Sequence, residues 1–208
     1  MQLSTIVVGP LGVNCYLIGC ESTKRMAVVD PGDDAARIWK AVHDAGYHVE
    51  MILNTHGHFD HIGGNSFMKK ETSAPLLIHE ADSVMLNRVA ATAAMYGCTG
   101  VNSPDADRFL THGEVLTVGE ITLEVRHPPG HTRGGCCFYL PQQALVLTGD
   151  TLFADSVGRT DLPGGSHPQL ITSITEQLMT LPDETVVYPG HGPKTTIGHE
   201  RRHNPYLD

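Results

Sequence analysis

Thr55-His56-Gly57-His58-Phe59-Asp60-His61 is the stretch on which the reading of this chain turns. Three imidazoles and a carboxylate fall within six residues. These are the side chains that hold zinc and similar divalent ions. The run follows a short apolar strand, Met51–Leu53, and leads into a helix expected from His61 through about Lys70. It is therefore a loop between a strand end and a helix start, where a turn can fold the donors inward. Gly57 gives that turn backbone freedom that a larger residue would lack. One loop does not easily close two metal sites, so more donors are expected at other strand ends.

Three residues fit. His131 lies in Pro128-Pro129-Gly130-His131-Thr132. Asp150 follows the apolar run Leu145-Val146-Leu147 in Thr148-Gly149-Asp150, and His191 follows Val186-Val187-Tyr188 in Pro189-Gly190-His191-Gly192. Each sits beside glycine, and alone each could be a turn residue. Beside the first cluster they read as its missing ligands.

Farther out, strand-like runs open the chain at Leu3–Val8, Asn14–Ile18 and Met26–Val29, punctuated by Gly and Pro as in antiparallel hairpins. Ala35–Ala45 has helical spacing and stops at Gly46; Leu76–Ile78 reads as a strand and Ala81–Tyr96 as a helix closed by Gly97. In the second half, Glu114–Val118, Ile121–Arg126, Cys136–Leu140, Ala144–Leu147 and Thr185–Tyr188 read as strands, and Pro168–Thr180 as a helix. Strands come first and helices after in each half, which suits two sheets packed face to face with helices outside. No linker or repeat divides the chain, so residues 1–208 are expected to form one domain.

Composition narrows the function classes. With 14 Lys and Arg against 23 Asp and Glu, the net charge is -9 with His neutral, a poor basis for binding nucleic acid or an anionic membrane. Five cysteines, an odd count with no CxxC pair, argue against a disulfide framework and a thiolate zinc site. The first residues show no signal peptide, and no run reaches the roughly 18 apolar residues of a membrane helix. The expected location is the cytoplasm. Of the 13 histidines, His43, His48, His79, His112, His167 and His199 read as surface or turn residues, and His127 and His203 as structural ones. The sequence carries no signal for an oligomeric state.

The whole pattern resembles the metallo-β-lactamase superfamily, and within it the short bacterial hydrolases of glyoxalase II type (hydroxyacylglutathione hydrolases). The likeness rests on Asn14-Cys15-Tyr16, Val29-Asp30-Pro31-Gly32, the His56–His61 cluster, Gly130-His131-Thr132 and Thr148-Gly149-Asp150. It continues through Gly158-Arg159-Thr160-Asp161, Pro189-Gly190-His191-Gly192-Pro193 and the ending Glu200-Arg201-Arg202-His203-Asn204-Pro205-Tyr206. The resemblance implies an α/β fold, a four-layer αββα sandwich of two mixed β-sheets with outer helices. It implies two divalent ions: zinc first, with iron or manganese acceptable to the same donors. His56, His58 and His131 would hold one ion, Asp60, His61 and His191 the other, and Asp150 would bridge them. Zinc β-lactamases of the best-known class place Cys where Asp150 stands, which argues against β-lactams as the main substrate. In one departure, Gly135 stands where the family often has a second His after the third ligand.

The implied activity is a metal-dependent thioesterase. It would hydrolyse S-D-lactoylglutathione, or a related thioester, to D-lactate and glutathione by attack of a metal-bridging hydroxide, with Asp60 as catalytic residue. Its partner is a small-molecule thioester, with no nucleic acid and no membrane. The C-terminal helical region that binds glutathione in longer relatives is expected to be missing. The substrate carboxylates would then need other cations: Arg159 first, with Arg133, Lys194, Arg201 and Arg202 behind it. For Arg159 the structural alternative is an ion pair with Asp155 or Asp161. The alternative activity on the same fold is a persulfide dioxygenase with a single iron on His56, His131 and Asp150. Lactonase and phosphodiesterase chemistry stay open, since a fold does not fix a substrate. A nuclease is disfavoured by the charge.

Replacing His58 or Asp150 with Ala should remove bound metal and thioester hydrolysis together. Elemental analysis and turnover of the same preparation check this, and full activity in a metal-free variant would refute it.

Overall fold

The computed structural model describes residues 1–207. The first sheet runs β1 (Gln2–Val8), β2 (Val13–Cys20), β3 (Arg25–Val29), β4 (His48–Leu53), β5 (Leu76–His79) and β6 (Arg108–Leu110), paired in that order. β1, β2 and β3 are antiparallel neighbours, while β3 through β6 are parallel. Parallel neighbours need crossovers, which are helical here. α1 (Ala35–Asp44) joins β3 to β4, and α2 (Phe59–Ile62) and α3 (Asn65–Thr72) join β4 to β5. A 3₁₀ segment, Glu80–Arg88, and α4 (Val89–Met95) lead toward β6.

The second sheet is built from β7 (Val115–Val118), β8 (Ile121–Arg126), β9 (Cys137–Leu140) and β10 (Leu145–Gly149), followed by a small hairpin of β11 (Leu152–Phe153) and β12 (Ser156–Val157) outside it. α5 (His167–Gln177) is the crossover to β13 (Val186–Pro189), parallel to β10; β14 (Thr195–Thr196) and α6 (Ile197–His203) follow. The order is β14-β13-β10-β9-β8-β7.

Alternation along the strands makes the layers. On β2, Tyr16, Ile18 and Cys20 face the second sheet, where they meet Val118, Leu123, Val125, Phe138 and Leu147. Cys15 and Leu17 face the other way, packing with Ile38, Val42 and Met68 of α1 and α3. Behind the second sheet, Cys137, Val146 and Val187 pack on Leu170, Ile174 and Leu178. The result is the expected αββα sandwich of two mixed sheets with outer helices.

Two helices differ from the sequence reading. The one expected from His61 to Lys70 is broken at Gly63 and Gly64, where the chain presses against Pro31 and Gly32 and Gly64 N–H donates to Pro31 O at 2.7 Å. The one expected over Ala81–Tyr96 is 3₁₀ for nine residues before becoming α. Four features are additional: the strand β6, the strand β14, the β11–β12 hairpin and the helix α6.

Phe138 is fully buried between the sheets. Phe138→Ala should cost about 3–5 kcal/mol of stability, read as a lower denaturant midpoint.

Candidate metal centre

The predicted donors all leave strand ends on one edge of the sandwich. His56, His58, Asp60 and His61 follow β4, Asp150 follows β10, and His191 follows β13. His131 comes from the loop between β8 and β9. The carboxyl ends of parallel strands are where open α/β sheets place ligands.

The donors fall into two adjoining clusters, His56–His58–His131 and Asp60–His61–His191. In the first, His56 Nε2 lies 3.0 Å from His58 Nδ1, and His131 Nε2 lies 3.3 and 3.0 Å from these two. In the second, His61 Nε2 and His191 Nε2 are 3.3 Å apart, and Asp60 Oδ2 is 3.4 Å from the latter. Asp150 reaches both: Oδ1 is 3.3 Å from His61 Nε2, and Oδ2 is 3.7 Å from His131 Nε2 and 3.6 Å from His191 Nε2.

The hydrogen bonds behind the rings show what the inward atoms carry. His131 Nδ1–H donates to Arg159 O at 2.8 Å, and His191 Nδ1–H to Leu11 O at 3.0 Å. His61 Nδ1–H donates to Asp30 Oδ2 at 2.9 Å. Thr55 Oγ1 gives its proton to Asp30 Oδ2 at 2.6 Å, so it accepts from His56 Nδ1–H at 3.0 Å. In neutral form, all four rings therefore turn an unprotonated Nε2 inward. Facing lone pairs at these distances repel unless a cation lies between them. Ligands around a tetrahedral zinc, at about 2.0–2.1 Å from it, are separated by about 3.3 Å. Asp150 Oδ1 is also buried and accepts no hydrogen bond. Donor types, spacing and an orphaned carboxylate oxygen all fit divalent ions.

The electrostatics divide the clusters. Burial pushes the His56 and His58 imidazoles down, His58 to about 4, and burial also holds His131 low. These are neutral rings, the form a metal takes. Burial opposes charge in the other cluster too, but attraction wins there. It holds the Asp60 and Asp150 carboxyls below the usual range and His61 and His191 above theirs. That half of the site is arranged around positive charge.

Three residues behind the donors had no role in the sequence reading. Asp30 is buried, holds an unusual positive φ of 50°, and accepts from Thr55 N–H at 2.7 Å as well as from Thr55 Oγ1 and His61. Asp82 accepts from Gly57 N–H at 3.0 Å and Gly134 N–H at 2.7 Å, tying the His56 loop to the His131 loop. Asn14 Nδ2 donates to Pro189 O and Gly192 O, each at 3.0 Å, and so clasps the His191 loop. Gly190 is obligatory for space, because a Cβ there would strike Asp150 Oδ1 and His61. The ending motif is explained by Glu200, fully buried, which accepts from Thr195 Oγ1, Asn204 Nδ2 and Asp155 N–H.

A cleft of about 750 Å³ opens over the clusters, lined by His58, Asp60, His131, Asp150 and His191 and walled by Met85, Met95, Tyr96 and Leu162. Arg133 and Arg159 line it, and so does Arg88, which the sequence reading missed. Arg159 is bidentate to Asp161 at 2.8 and 2.7 Å. Lys194 is not among the lining residues, and Arg201 and Arg202 pair with Asp183 instead. Among the described residues, no helix is long and apolar enough to cross a membrane.

Two adjoining donor clusters at the strand ends of an αββα sandwich define a metal-dependent enzyme with a binuclear-type centre. The chain belongs to the metallo-beta-lactamase superfamily, whose family model matches residues 8–191. It is 34% identical to hydroxyacylglutathione hydrolase GloC of Haemophilus influenzae, over 100% of this chain and 99% of that protein. Among solved structures, it is similar to the BLEG-1 B3 metallo-beta-lactamase (36% identity, TM-score 0.92, 99% of each chain). It is also similar to TTHA1623 in a di-iron-bound form (36% identity, TM-score 0.91, 98% of this chain and 100% of that one).

Asp30→Ala should lower metal affinity about 10- to 100-fold while the fold persists, because it frees the His61 ring and the Thr55 hydroxyl. Competition with a chromophoric chelator, alongside circular dichroism, measures both.

Proposed function

We propose that residues 1–208 act as one domain that hydrolyses a thioester, S-D-lactoylglutathione or a close relative, in the manner of a hydroxyacylglutathione hydrolase. The observation that carries the reading is Asp150, a carboxylate lying between two complete donor trios at the base of an open cleft. The full-length likeness to GloC supports the choice of substrate.

In this reading His56, His58 and His131 would hold one ion and Asp60, His61 and His191 the other, with Asp150 available to both. When bound, the pair supplies an activated water and a Lewis acid for the substrate carbonyl. The residues of the chain do the rest. Asp60 lines the cleft, so its carboxylate can orient the attacking water. Asp30, Thr55, Leu11 O and Arg159 O fix the rings from behind, so little reorganisation is left for the reaction. The leaving thiol, with a pKa of roughly 8.5, departs as thiolate without an acid. Covalent catalysis by cysteine finds no support at Cys15, Cys136 or Cys137, whose thiols burial pushes up, Cys137 to about 12.

The likeness to a structure described as a B3 β-lactamase makes a β-lactam a necessary comparison substrate, whatever Asp150 suggests. Purified protein should hydrolyse lactoylglutathione, lose that activity on dialysis against a chelator and regain it with zinc, iron or manganese. Two metals per chain by elemental analysis, with turnover well above that on a β-lactam, is the expected result. One iron per chain, with O₂ uptake on glutathione persulfide and no thioester turnover, would replace this reading with the dioxygenase one.

A further inference from the structure

A second, smaller cavity of about 250 Å³ adjoins the cleft and shares Leu11, Phe59, Asp60 and Val89 with it. Its other walls are the Gly9-Pro10 turn, Val13, Asp33 and the segment Cys98–Val101. Asp60, one of the predicted metal donors, is thus in the wall of both spaces, which differ in size and charge. The small cavity has about a third of the volume of the cleft, 250 against 750 Å³, which suits a short acyl group. The larger one falls within the roughly 300–1,000 Å³ range that takes a drug-sized ligand. No Lys or Arg lines the small cavity, whereas Arg88, Arg133 and Arg159 line the large one. Arg159 already has Asp161. Arg88 and Arg133 have no carboxylate partner among the described residues, on a chain of net charge -9.

We propose that the site is bipartite: the small cavity is the acyl subsite, and the large cleft binds an anionic thiol half through Arg88 and Arg133. The scissile carbonyl then lies where the two spaces join, over Asp60 and Asp150. Size and charge assign the same orientation independently. This rests on the thioesterase reading and adds to it the direction of the substrate and the residues that choose it.

The test uses the metal-loaded enzyme and three thioesters: lactoylglutathione, the lactoyl thioester of uncharged N-acetylcysteamine, and a glutathione thioester of a longer, octanoyl chain. Arg88→Ala with Arg133→Ala should raise KM for lactoylglutathione about tenfold or more, as expected for lost charge-assisted contacts, with little change in kcat. The same double variant should leave KM for the uncharged thioester unmoved. Val101→Trp, at an exposed position of the small cavity, should lower kcat/KM for the octanoyl thioester far more than for the lactoyl one. Thermal unfolding of each variant separates lost folding from lost binding. Equal KM changes for charged and uncharged thiols, or a Val101→Trp effect that follows the thiol instead of the acyl chain, would overturn the orientation. Absence of any thioester turnover in the unmodified enzyme would instead overturn the thioesterase reading on which it stands.

Discussion

In their neutral form, four imidazoles turn an unprotonated nitrogen toward a common space because something behind each ring holds its other nitrogen. Asp30 is the centre of that support. It accepts a hydrogen bond from His61 directly and another from the Thr55 hydroxyl, which leaves the Thr55 oxygen as acceptor for His56. One carboxylate thereby sets a ring in each cluster, and its position depends on the first sheet. β3 and β4 are parallel neighbours, so their ends deliver Asp30 and Thr55 side by side although 25 residues separate them. The inter-sheet core, with Phe138 at its middle, keeps this edge in register with the β10 and β13 ends that carry Asp150 and His191. Loss of support at Asp30 would free ring rotation in both clusters at once, whereas loss at Leu11 O or Arg159 O would free one ring.

The donors were legible because their signals are local: a dense His/Asp run, and glycines beside strand ends where bulk is impossible, as at Gly190. The layers were legible from strand alternation for a similar reason. The support was not. Asp30, Asp82 and Asn14 each act on backbone or side chains 25 or more residues away, and although Asn14 and Asp30 stand in motifs that carry the resemblance, nothing in their immediate neighbours says what they hold. Arg88 was hidden by a different effect. The pattern over Ala81–Tyr96 reads as α-helix, at 3.6 residues per turn, but Glu80–Arg88 is 3₁₀, at 3.0. Over nine residues the difference accumulates to about 180°, so a face assigned at the α period points the wrong way by the end of the segment. Arg159 shows the converse: its motif was visible, but its bidentate pairing with Asp161 was one of two alternatives until the loop was seen.

The fold does not determine the chemistry either. Proteins described as a hydroxyacylglutathione hydrolase and as a β-lactamase both resemble this chain along nearly its whole length. The walls over the centre are where a substrate is shaped and chosen on a shared fold. Here those walls include the 3₁₀ segment with α4 and the loop carrying Arg133. Met95 and Tyr96, at the end of α4, leave apolar surface exposed at the cleft. Such surface is the usual mark of a ligand groove.

The charge at the centre gives these walls their weight. Asp30, Asp60, Asp82 and Asp150 are four carboxylates around the donor clusters, all but Asp30 lining the cleft. Two dications would balance them and one would leave a deficit, so in neither state does the centre itself offer surplus positive charge to an anionic substrate. The centre can polarise a carbonyl that has been brought to it, but long-range attraction has to come from cations that are not already matched. Arg159 is matched by Asp161, and Arg201 and Arg202 by Asp183. On an acidic chain, the guanidiniums of Arg88 and Arg133 at the cleft, which have no carboxylate partner among the described residues, are the groups left to supply it, acting before any bond is strained.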